Sequence, residues 1–215
     1  MNNTSSLSRK ADASTGLSTR TLYLVETAIM IAITLIMGNT FLGSIPTPFL
    51  KISIVTVPVA LAAMLIGPTA GIICGLVFGL NSFFTALTGS SGLLTTLVAI
   101  NPLYGFITAV GGRFLDALLV SYLFALLKKS PASKAAYHIT GALMPLFNTV
   151  FFMGLLCFFF YNTEYVQGLV ASKGATNPLS FVIALVGVQA SVEALIGCLL
   201  AGTLGLVLSK TLHRA

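Results

Sequence analysis

Arginine is costly to place in lipid, and Arg113 stands inside a long apolar run, with no formally charged residue between Lys51 and it. An arginine near the bilayer centre costs about 2.5–3.5 kcal/mol even on the lenient insertion scale, so it faces a partner or a water-filled cavity. Its planar fork suits a carboxylate. Two kinds of partner are open. One is structural, an ion pair with Asp116, one helical turn along, or with Glu193 at similar depth in the last apolar segment. The other is the anionic group of a bound molecule. Asn81, Asn148 and Gln189 also fall in apolar segments, and each carries donors and acceptors that lipid leaves unsatisfied. Any one of them could bond a neighbouring helix. Together with Arg113, and with Tyr104 and Phe151 as walls, they describe a pocket for a small polar molecule with a negative end. Asn101, followed by Pro102, reads as a helix cap.

Other chemistry is missing from the pattern. The sequence contains no GxxxxGK[ST] phosphate loop, no HExxH and no GxSxG turn. His138 and His213 have no ligand spacing, so neither a metal nor a cofactor is expected. Cys74, Cys157 and Cys198 lie apart in apolar runs and read as packing residues. No catalytic residue emerges, and the chain is not expected to be an enzyme. The halves show no obvious inverted repeat, which weighs against a standard secondary transporter. A binding subunit fits best.

The elements that must position these residues follow from composition. Of 215 residues, 56% are hydrophobic and 7% charged, against about 25% charged in soluble domains. That excludes a soluble enzyme, a disordered scaffold and a secreted disulfide module. The chain reads as an all-α integral membrane protein. Six apolar segments are candidate crossings, at about 21–43, 52–67, 68–88, 101–127, 138–161 and 178–208. The second is short and holds Pro58, so a re-entrant segment is its alternative. Positive charge decides, because basic residues gather on the cytoplasmic side. Arg9, Lys10 and Arg20 precede the first segment, Lys128, Lys129 and Lys134 follow the fourth, and Lys210 and Arg214 follow the sixth. They share one side only if six spans leave both termini cytoplasmic. This accounts for the net charge of +6 without nucleic acid. Residues 1–20 then form a flexible cytoplasmic tail rather than a cleaved signal, and 21–210 the membrane domain. Residues 44–51, 89–100 and 162–177 become outer loops, and Gly67-Pro68 a tight inner turn. Glu26, at the inner end of the first segment, snorkels to the headgroups.

Small residues mark close contacts. Gly67, Gly71, Gly75 and Gly79 recur every fourth position, and Gly197, Ala201 and Gly205 do so in the last segment. These suit packing inside the bundle. Ala28 and Ala32, near the inner end of the first segment, could equally pack within the bundle or dock a partner subunit.

The order of an AxxxA, a Pro-containing first outer loop, IGPTAGIICGLVFGLNS, NPLYGFITAVGGRFLDALL and LFNTVFFMGLL resembles an S component of the energy-coupling factor (ECF) vitamin transporters, most closely the pantothenate-type branch. The resemblance covers about residues 20–210. It implies a six-helix subunit of the bacterial plasma membrane that captures a vitamin from outside. The captured vitamin is carried inward by toppling against a shared module of one transmembrane scaffold subunit and two cytoplasmic ATPases. It also implies that Ala28 and Ala32 meet the scaffold, with Gly71 and Gly75 adjoining. Pantothenate, a small amide with hydroxyls and a carboxylate, suits the pocket: Arg113 takes the carboxylate while Asn81, Asn148 and Gln189 bond the rest. Residues 89–100 lack the charged or aromatic residue that the family often has in this loop. Folate, a thiamine precursor or riboflavin remain alternative vitamins, and an autonomous small-solute carrier is an alternative class.

Overall fold

Lipid offers the backbone no hydrogen-bond partner, so an apolar chain closes its own bonds as helices. The computed structural model describes residues 18–46, 51–131 and 133–211. Most of the expected tail 1–20, part of the loop 44–51, and His213 and Arg214 lie outside the described residues. The helices are α1 Thr19–Asn39, α2 Thr56–Leu65, α3 Pro68–Leu87, α4 Leu93–Ile100, α5 Pro102–Lys128, α6 Ala135–Phe160, α7 Glu164–Ser172 and α8 Pro178–Thr211. A 3-10 turn, Phe41–Gly43, leads from α1 into a small antiparallel hairpin of β1 Ser44–Pro46 and β2 Lys51–Ser53, with Ser44 opposite Ser53.

Five helices, α1, α3, α5, α6 and α8, are long and apolar enough to cross a membrane. The segment expected at 52–67 is different. Its helix α2 has only 10 residues, all of them buried. At about 1.5 Å per residue that is roughly half of a bilayer core. Two features shorten it. Lys51–Ser53 go into the hairpin, and Gly67 (φ 138°) ends the helix in a conformation open to glycine, with Pro68 starting α3. Glu193 of α8 bonds Ser53, while Leu61 and Met64 flank Gly205 of α8. So α2 runs parallel to α8 and reverses the chain between α1 and α3. It is a core helix, packed on α3, α5, α6 and α8.

Glycines set the closest crossings. Along α3, a Cβ at Gly71 would meet Ala63 and Ser121, one at Gly75 would overlap Ala117, and one at Gly79 would lie 2.9 Å from Val110 Cα. The expectation that Gly71 and Gly75 help to dock a partner is thereby corrected: both are buried, their open faces already filled by α2 and α5. Ala28 and Ala32, in contrast, are exposed on α1. In α6, Pro145 has no N–H to give the carbonyl four residues back, at Gly141. That carbonyl faces Gly197 of α8, and the Gly197 carbonyl faces Gly141 in return. Such reciprocal backbone contact exists only without Cβ atoms, and it suits weak Cα–H···O bonds.

Two expected loops contain helices. Leu94, Leu97 and Val98 bury one face of α4, and Val166 and Val170 one face of α7. Thr163 caps α7, its Oγ accepting from Val166 N–H at 3.4 Å. Asn177 and Ser180 exchange side-chain to backbone bonds at the start of α8: Ser180 N–H donates to Asn177 Oδ1 at 2.8 Å, and Asn177 N–H donates to Ser180 Oγ at 3.1 Å. The fourth expected span is also not uniform. Between Ile107 and Gly111, α5 adopts a π turn.

Candidate functional site

A π turn widens a helix and leaves a backbone carbonyl without its usual donor. In α5 the side chain of Arg113 reaches back to this turn: its Nη1 donates to the Ala109 carbonyl at 3.0 Å. The guanidinium carbon lies 4.6 Å from the ring centre of Phe78 on α3 and 5.3 Å from that of Phe152 on α6. Two aromatic faces thus hold the cation between neighbouring helices. Gly79 lets α3 approach this turn: a Cβ there would stand 3.2 Å from the Ala109 carbonyl oxygen.

Arg113 borders a cavity of about 790 Å³ at the hairpin end of the bundle. Asn81, Asn148 and Gln189 border the same cavity. Four of the five residues expected to bind a guest are therefore brought together from α3, α5, α6 and α8. The fifth, Tyr104, is not among the lining residues; it is exposed and stacks on Phe159, ring centres 4.7 Å apart. The expected wall Phe151 packs toward Phe147 instead, and its neighbour Phe152 faces the cavity. One residue along a helix turns a side chain by about 100°, enough to exchange the two.

Neither acidic candidate bonds Arg113. Asp116 is 1% exposed, outside the cavity lining, and its Oδ1 is buried without a hydrogen-bond partner among the described residues, as is Arg113 Nε. Glu193 does line the cavity, but its Oε1 accepts from the Ser53 N–H and from Gln189 Nε2, both at 2.8 Å. Asn81 accepts at Oδ1 from Asn39 Nδ2 at 2.8 Å, which ties the end of α1 to α3. Asn148 Oδ1 is buried and has no partner among the described residues. Ser82, Thr85, Thr88, Ser90 and Ser91 line the wall formed by α3 and the turn after it.

Sequence reasoning missed Glu193 as a lining residue, along with Ser53, Asn39 and the aromatic pair Phe78 and Phe152. Glu193 carried a signal, as a carboxylate in an apolar helix. The phenylalanines carried none among 15 of their kind. Among the described residues no group of three or more His, Cys, Asp or Glu side chains could hold a metal ion. The arrangement offers a fixed cation, amides and hydroxyls in a polar hollow. That set suits the binding of a small polar molecule.

Comparison with known families agrees. No curated protein matches the chain significantly. The family described as "ECF transporter, substrate-specific component" matches residues 22–205, and the chain belongs to that family. It is an integral membrane protein and a substrate-binding subunit of an ECF importer, not an enzyme.

Proposed function

We propose that this substrate-binding subunit captures a small water-soluble vitamin with one carboxylate, pantothenate being the best match, from outside the cell. The observation that carries the reading is Arg113, bordering one cavity with three amide side chains and bonded to neither nearby carboxylate. Ala109 occupies one of the five N–H donors of the fork. A guest carboxylate would take others, charge-assisted and within a site already shaped by Phe78 and Phe152. Asn81, Asn148 and Gln189 supply bonds for an amide and hydroxyls. Tyr104, stacked on Phe159, has no part in this reading.

Delivery belongs to partners. The exposed Ala28 and Ala32 would seat α1 on a transmembrane scaffold subunit, since small residues four apart let a second helix approach closely. Two cytoplasmic ATPases would supply the energy that resets the toppled subunit, consistent with a chain that has no phosphate loop of its own. The test is uptake of labelled pantothenate into vesicles holding this chain with or without the scaffold and ATPases. Uptake should require partners and ATP. Ala28→Leu with Ala32→Leu should abolish uptake while leaving guest affinity within about twofold, a change of under half a kcal/mol. Uptake by this chain alone would show an autonomous carrier instead.

A further inference from the structure

Glu193 is 4% exposed on a membrane-spanning helix, and such a carboxylate is costly unless something uses it. The cavity's cation does not: Arg113 donates to Ala109. What Glu193 has are two neutral donors, Ser53 N–H and Gln189 Nε2, both on Oε1. They fix the direction of the carboxylate and leave Oε2 without a donor among the described residues. Asn148 Oδ1, on the same cavity, is a second acceptor with no donor among them. One cation and two open acceptors thus border one hollow.

Resting on the vitamin-binding reading above, we infer that Glu193 is a specificity-determining residue whose carboxylate accepts hydroxyl or N–H donors of the guest while Arg113 holds its anionic group. The guest class narrows accordingly to monoanions that carry donors away from the carboxylate. A second carboxylate in the guest would meet Glu193 as a like charge at close range, so dianions are rejected. This separates pantothenate, with one carboxylate and two hydroxyls, from folate, with two carboxylates. A site built to bond a hydroxyl rejects an analogue lacking it far more strongly than an apolar site would.

The experiment uses the purified full chain and two guests. One is pantothenate; the other is the amide of β-alanine with 3,3-dimethylbutanoic acid, which is pantothenate without both hydroxyls. Affinities are measured for the wild type, Glu193→Gln and Glu193→Ala, with the thermal midpoint of each unliganded protein. The wild type should prefer pantothenate by at least about tenfold. Glu193→Gln, whose amide oxygen still accepts from Ser53, should cut that preference about fivefold or more, and Glu193→Ala should cut it at least as far, leaving only the share carried by the amide side chains. Binding of the two guests weakened equally in both variants would show that Glu193 only ties down the Ser53 backbone, and would overturn the inference alone. Should Glu193→Ala not fold, an undiminished preference in Glu193→Gln overturns it. Failure of the wild type to bind pantothenate would overturn the vitamin reading, and this inference with it.

Discussion

Buried polar atoms left without partners are the clearest marks of use at the residue scale, because each costs about 1–3 kcal/mol while unsatisfied. Asn148 Oδ1 and Arg113 Nε both carry that cost beside one cavity. For Asn148 a consequence follows that separates binding from folding. Asn148→Leu removes an acceptor that no described residue satisfies, so the unliganded protein should keep or slightly raise its thermal midpoint. Its affinity for pantothenate should fall about fivefold or more, as expected for a lost hydrogen bond. A lowered midpoint with unchanged affinity would assign Asn148 to the bundle. Residue types alone pointed to Arg113, Asn81, Asn148 and Gln189, because polar groups in apolar runs are expensive wherever they sit. They did not separate Phe151 from Phe152, since an apolar run gives no phase to the helix it forms.

At the scale of elements, the π turn of α5 and the glycine edge of α3 form one device. The Ala109 carbonyl lies in the turn, Arg113 donates to it, and Gly79 leaves room for α3 beside it. Gly79→Ala would push a methyl against Val110 Cα and the Ala109 carbonyl, displacing the turn that orients the guanidinium. Overpacking of this kind costs about 1–3 kcal/mol, so both the thermal midpoint and the affinity for an anionic guest should drop. Gly154→Ala is the control, since no atom lies within 4 Å of that Cβ position; it should leave both unchanged or stabilise the helix. Equal effects of the two substitutions would remove the argument for the turn. The four-residue glycine spacing was legible in the sequence as a packing face. Its partner was not, because spacing names a face without saying what meets it; the resemblance set Gly71 and Gly75 beside a docking surface, while α2 and α5 fill that face. Helices α4 and α7 were likewise hidden, each being too short to stand out from a loop until its apolar face had something to cover.

For the whole molecule, composition and hydropathy carried the membrane class and the five long apolar helices among the described residues directly. The short α2 departs from its expected span because the hairpin takes the beginning of that segment and Gly67 closes its end. Its direction still reverses the chain, which keeps the basic residues around Lys128 on the same side as α1's start. We propose that this side is cytoplasmic and that the hairpin end, with its cavity, faces outward. Single cysteines at Ser90 and at Lys129, in a chain whose native cysteines are replaced, test this with a membrane-impermeant thiol reagent on intact cells. Ser90→Cys should label, and Lys129→Cys only after permeabilisation. The opposite pattern would invert the topology and point the cavity into the cell.

The central claim is that Arg113 receives the anionic group of a guest, and a paired titration tests it most directly. Wild type and Arg113→Ala are titrated with pantothenate and with the neutral alcohol in which CH2OH replaces its carboxylate. The wild type should favour the anion by at least about tenfold, and Arg113→Ala should bind the two alike through loss of that charge-assisted pair. An Arg113→Ala protein whose affinity for pantothenate stays within about twofold of wild type, or one that keeps the preference for the anion, would contradict the account.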